Sequence, residues 1–139
     1  CVQGTEEGEL CGEIYSCYLK DPIWFRGVGD LVLKLDEMCN WVGMPHATTD
    51  PRFLNLETER RYREASSHHP QADRSNLTYT MDQIPFKQAL KAREVLIVYV
   101  KYRQFSSLQG SIRGKITKGK VVNFRSALEL MRMISMIQL

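Results

Sequence analysis

The last third of the chain, Ala92 to Leu139, constrains the fold most tightly, because it spells a series of strands that ends in a capped helix. Val95 to Arg103 alternates along a strand, with Leu96, Val98, Val100 and Tyr102 on one face and Tyr99, Lys101, Arg103 and Phe105 on the other. A polar bend, Arg103 to Gly110, leads into a second strand, where Ile112, Gly114 and Ile116 share a face and Arg113 and Lys115 point away. Thr117-Lys118-Gly119-Lys120 is a tight turn in which Gly119 is free to take a positive φ, and Val121 to Phe124 is a third strand. Ser126 followed by Glu129 is a capping box: the hydroxyl accepts from an orphan amide of the first turn and the carboxylate reaches back to the cap amide. The helix that follows is apolar on most sides. Ala127, Leu130, Met131, Ile134 and Ile137 form its main stripe, which predicts cover by the sheet and by either the middle of the chain or a second copy.

A second helix is equally plain. Val28, Leu31, Val32, Leu35, Met38, Cys39 and Val42 fall on one stripe, with Gly43 and then Pro45 to end it. Its opening, Phe25-Arg26-Gly27-Val28-Gly29-Asp30-Leu31, matches Phe124-Arg125-Ser126-Ala127-Leu128-Glu129-Leu130 as Phe-Arg-small-x-x-acid-Leu. Duplication and convergence of two well-capped helices explain this phrase equally well. The expected architecture is α+β: an antiparallel sheet of four or five strands with two principal helices packed on one face, and a β-α unit used twice.

The rest of the chain is less regular. Residues 1–12 are Gly- and Glu-rich and read as a flexible leader to a single domain over 13–139, whose first strand is expected at Glu13 to Lys20. Leu56 to Ala65 suits a short charged helix, and Ser66 to Asn76 a loop. Leu77 to Met81 suits an edge strand, and Pro85 opens a short helix through Phe86, Ala89 and Leu90.

No apolar run approaches the length of a membrane span and no signal-peptide pattern opens the chain, so a cytoplasmic protein without membrane contact is expected. Cys1 in place of a methionine reads as a trimmed terminus. Cys1, Cys11, Cys17 and Cys39 form no C-x-x-C pair, and reduced thiols are expected. Charge is lopsided. Pro85 to Arg125 holds ten bases against Glu94 alone, a net +9, while Cys1 to Ile84 is net −6. Such a split calls for an acidic partner or for two halves that attract each other.

The basic strand pair supplies the candidate binding residues, Tyr99, Lys101, Arg103, Arg113 and Lys115. Aromatics interleaved with cations on a sheet suit single-stranded nucleic acid, by stacking and phosphate neutralisation; a solvated face that guards a sheet edge uses the same residues. Ser107 and Gly110 share an S-x-x-G spacing with PilZ domains, but position 105 is Phe and no R-x-x-x-R precedes it, so turn hydroxyls are the better reading. His46, His68 and His69 lack the spacing of metal ligands, and no nucleophile elbow or Gly-rich phosphate loop occurs. Neither catalysis, nor a cofactor, nor a metal is expected.

Arg103-Gln104, Ser107, Gln109-Gly110 and the phrase Phe124 to Leu130 together resemble a group of small gut Firmicutes proteins that share an R-Q-x-x-S-x-Q-G bend and an F-R-S-x-L-E-L terminal helix. The usual aromatic before Gln-Gly is Leu108 here. The resemblance implies a bacterial or mobile-element origin and no particular activity. The expected function is a non-enzymatic binding or regulatory module acting through protein–protein contact or self-association of the C-terminal helix, the alternative being a nucleic-acid binder.

Overall fold

The computed structural model describes residues 1–67 and 86–139. Its elements run β1 (Val2–Glu6), β2 (Glu9–Ile14), β3 (Ile23–Arg26), α1 (Val28–Val42), α2 (Leu56–Ser67), α3 (Phe86–Lys91), β4 (Leu96–Tyr102), β5 (Gln109–Gly114), β6 (Val122–Phe124) and α4 (Ala127–Ser135). The class is α+β, but the single sheet of four or five strands is corrected. Two antiparallel three-stranded sheets form, β1-β2-β3 and β4-β5-β6, which touch through one isolated bridge between Val2 and Glu94. The extra strands come from residues 1–12, which hold β1 and most of β2 rather than a flexible leader. Val2, Leu10 and Cys11 are buried there, and Glu7 and Gly8 make the hairpin turn with both φ values positive. The expected strand at Glu13 to Lys20 is corrected too: β2 ends at Ile14 and β3 starts at Ile23.

Each sheet ends in a helix, so the chain contains a βββα unit twice. The two copies agree in register as well as order. Val2 pairs with Gly12 and Gly4 with Cys11, just as Val100 pairs with Gly110 and Tyr102 with Gln109, so each first strand carries a one-residue bulge at the same place, Gln3 and Lys101. Gly12 faces Phe25 as Gly110 faces Phe124. A second repeated phrase therefore lies in the middle strands: Leu10-Cys11-Gly12-Glu13-Ile14 and Leu108-Gln109-Gly110-Ser111-Ile112, both L-x-G-x-I. In each copy Leu and Ile are core residues, joined by Phe25 or Phe124 and by Leu31 or Leu130. The middle glycines are required by close approach, since a Cβ at Gly12 would lie 2.0 Å from the Cys1 carbonyl oxygen and one at Gly110 would lie 1.8 Å from that of Tyr99.

The helix starts agree as well. The Asp30 carboxylate accepts from the Arg26 amide at 3.0 Å, and the Glu129 carboxylate from the Arg125 amide at 2.7 Å. Each acid thus holds the amide before the cap, one residue earlier than a capping box requires. Both acids are pushed below the ordinary carboxylate range. Burial works against this at Asp30, where bonds from Lys34 and the Arg26 amide outweigh it; at Glu129 the Arg125 amide is the main cause. Ser126 accepts from the Glu129 amide at 3.1 Å as expected, whereas Gly27 stands in its place in the first copy with φ at 83°.

The predicted stripe of α1 packs inward, with Leu31, Val32, Leu35, Met38, Cys39 and Val42 buried and Gly43 ending the helix in the left-handed conformation. The greasy α4 buries Leu130 and Ile134 and packs against β6 and α1. α2 lies on α1, with Trp41 Nε1 donating to the Ala65 carbonyl and Asn40 Nδ2 to the Tyr62 hydroxyl. α3 falls where Pro85 predicted it. Ser66 and Ser67, expected to open a loop, instead close α2, while the rest of that loop with its adjacent histidines and the expected edge strand at Leu77 to Met81 lie outside the described residues.

Burial pushes the Cys39 thiol up to about 11. An unfolded thiol ionises near 9.0. Between these values the unfolded chain releases a proton that the folded chain keeps, so stability falls as pH rises through that window and is unaffected below it. At neutral pH the native chain should alkylate slowly at Cys39 with iodoacetamide, and fast once urea unfolds it, as peptide mapping would show.

Candidate binding face

The helices cover one side of the β4-β5-β6 sheet, and no element among the described residues packs on the other. Along β4 the residues alternate until the bulge: Leu96, Val98 and Val100 point toward the core, and Ile97 and Tyr99 point outward. At the bulge two consecutive residues, Lys101 and Tyr102, are both exposed, and the alternation restarts in the opposite phase. Arg103, expected on the outer face, is turned inward by this one extra residue.

Arg103 is consequently a structural residue. Only 5% of it is exposed. Its Nε donates to Asp36 Oδ1 at 3.0 Å, one terminal nitrogen donates to Asn40 Oδ1 at 2.7 Å, and the other donates to the Pro45 carbonyl at 3.2 Å. It ties the end of β4 to α1, and the ion pair with Asp36 links the two halves of the chain. The following bend is stapled in the same way. The Thr48 amide donates to the Arg103 carbonyl, and the Ser106 amide to Thr49 Oγ1. Gln104 and Gln109 exchange two bonds across the bend. Ser107 Oγ accepts from the Ala127 amide at 2.8 Å, and so caps α4. The S-x-x-G spacing is thereby accounted for by turn and cap amides, without a ligand.

Of the other candidates, the structure brings three together. Tyr99, Lys101 and Arg113 share the outer face, with Arg113 opposite Ile97 and Tyr99 opposite Ser111 in the β4–β5 pairing. Tyr99 is 61% exposed. The Lys101 ammonium lies 5.2 Å from the centre of the Tyr102 ring, an aromatic that the expected alternation had placed in the core. Lys115 sits just past the end of β5, its side chain exposed and its amide held by the buried Glu94 carboxylate at 2.8 Å. That bond explains the one acid in the basic stretch: Glu94 terminates β5 and leaves the surface cations unneutralised. Lys101, Arg113 and Lys115 make no ion pair among the described residues. Phe105, also expected on this face, sits in the bend with a positive φ and is 86% exposed.

The outer side of the first sheet has the opposite sign. Glu6, Glu7, Glu9 and Glu13 lie on or beside β1 and β2, where Arg26 alone pairs with Glu7 and Glu9. The charge split of the sequence thus shows as an acidic surface on the first sheet and a basic one on the second, and the Arg103–Asp36 ion pair joins the two halves.

No group of three metal-ligating side chains occurs among the described residues, and none of their helices is long and apolar enough to cross a membrane. Comparison of the chain with protein-family models, with curated proteins and with solved structures finds no match.

Proposed function

We propose that this chain is a non-enzymatic binding or regulatory module of bacterial or mobile-element origin, working in the cytoplasm through protein–protein contact, and that the outer face of β4 and β5 makes the contact. The observation that carries this reading is the open cationic face itself. Among the described residues Lys101, Arg113 and Lys115 stand exposed without ion pairs beside Tyr99 and Tyr102, while Glu94, the one acid of the basic stretch, is buried and committed to a backbone amide. Exposed tyrosines and unpaired arginine on a rigid strand pair are what binding hot spots use, and the face complements an acidic surface. Self-association through α4 has weaker support, since α1 packs on that helix and, of its large apolar residues, Leu128, Met136 and Leu139 stay exposed along its length and end.

The same aromatic-and-cation arrangement favours a second reading, single-stranded nucleic acid stacked on Tyr99 and Tyr102. The double charge reversal Lys101→Glu with Arg113→Glu tests both. Both side chains are exposed, so thermal stability should change little. Affinity capture from the producing cells should yield a protein that the double variant loses, together with a 260 nm absorbance free of salt-sensitive excess. Capture that survives the reversal contradicts the proposed face. A 260 nm excess removed by salt, and absent from the variant, would transfer the face to nucleic acid.

A further inference from the structure

Between the two sheets lies a groove of about 480 Å³ whose rim reaches Tyr99 and Lys101 of the outer face. One wall is the edge of β4 that faces away from β5. The other is the end of β2 and the residues after it, Ile14 to Ser16, and the floor is the apolar stripe of α1, including Leu35 and Val42. The sheets touch where Val2 donates to the Glu94 carbonyl at 2.8 Å, and among the described residues no further backbone pairing joins them. Backbone groups of alternate residues along a strand face the same edge. Since Glu94 bonds to Val2, the amides and carbonyls of Leu96, Val98 and Val100 face the groove, and no strand among the described residues pairs with them. A strand edge with unpaired backbone groups is a template for another strand.

We infer that this groove accepts an extended segment of a partner protein as an added strand, antiparallel to β4 and in line with β1. This deepens the protein-contact reading above and rests on it. Three observations define the occupant. The Val2–Glu94 bridge is antiparallel and sets the direction. The side chains of Leu96 and Val98 turn toward the core beside α1, so the added strand must be apolar at every second residue to continue that layer. Its intervening residues emerge on the outer face beside Ile97, Tyr99 and Lys101, where Lys101 and Arg113 have no counter-charge among the described residues. Acidic residues at those positions complement the face. The edge from Leu96 to Val100 offers room for a strand of about five residues, roughly 17 Å long. The occupant is therefore an extended acidic-apolar alternating peptide, held by main-chain bonds as in other strand-addition modules.

The test uses the full protein and a fluorescein-labelled heptapeptide of alternating valine and glutamate, followed by polarisation and by amide hydrogen exchange. Binding should slow exchange at the Leu96, Val98 and Val100 amides by about tenfold or more. A valine–lysine heptapeptide should bind about tenfold more weakly, which is the charge preference. N-methylation of alternate peptide amides should abolish binding without touching the protein's fold. Three results would overturn the proposal: these amides already slow in the free protein, so that its own chain fills the groove; peptide binding that leaves them unchanged; or occupation by anilinonaphthalene sulfonate alone, a small apolar ligand. Should any of these occur while capture still depends on Lys101 and Arg113, the groove is refuted and the outer-face contact stands. Loss of both refutes the binding module itself.

Discussion

Gly110→Ala should largely unfold the chain. A Cβ there would sit 1.8 Å from the backbone oxygen of Tyr99 and 3.1 Å from the Phe124 ring, so the obstacle on one side is main chain that cannot rotate away. β4 or β5 must shift, and that breaks the pairing on which Ile112 and Phe124, each 1% exposed, depend for their burial. A loss above about 4 kcal/mol is expected, set against the ~5–15 kcal/mol that holds a typical domain folded. Gly12→Ala should behave alike, because the repeat puts it in the same register against Cys1. Gly29→Ala is the control. It lies in the first turn of α1 with nothing within 4 Å of the added carbon, and should be neutral or stabilise by up to about 1 kcal/mol. Urea midpoints of the three variants by circular dichroism check the contrast, and a Gly110→Ala midpoint near that of Gly29→Ala would contradict the shared close approach.

Arg103→Ala should cost about 3 kcal/mol, the next largest effect. The change removes three charge-assisted bonds and leaves the Asn40 and Pro45 oxygens without their donor. The Asp36 side chain is 35% exposed, so its freed charge is partly hydrated, and the loss falls at the lower end of the range for broken buried pairs. Arg103→Lys should recover little, because a single ammonium cannot reach three acceptors laid out for a planar fork. Thermal unfolding measures both, and partner capture well below the melting temperature should survive each. Loss of capture in a folded Arg103 variant would return this residue to the binding face.

The contrast between Arg103 and Lys101 shows where the sequence is legible. The helices were readable from period and caps, and every member of the α1 stripe from Leu31 to Val42 is buried as expected. The repeated Phe-Arg phrase was readable too, and it marks equivalent β–α junctions. The phase of β4 beyond Val100 was not, since nothing in Val100-Lys101-Tyr102-Arg103 marks a bulge, and one unpaired residue exchanges the faces of all that follow. The β1–β2 hairpin was hidden for a different reason. Its turn places Glu7, not Asn or Asp, at a positive φ, and its outward residues are polar enough to pass for a leader. A signal for it did exist. L-x-G-x-I occurs at both Leu10 and Leu108, and aligning the chain against itself on that phrase as well as on Phe-Arg yields two βββα units and assigns β1 and β2 by analogy with β4 and β5. The groove was beyond reach, because it exists only where two sheets part.

The most direct test of the central claim places a photo-crosslinking benzoylphenylalanine at Tyr99 and, as a control, at the still more exposed Leu56 on α2, with illumination in the cells that make the protein. The account predicts a discrete protein adduct from position 99 that is absent from position 56. Adducts to nucleic acid alone, or the same protein adducts from both positions, would contradict it.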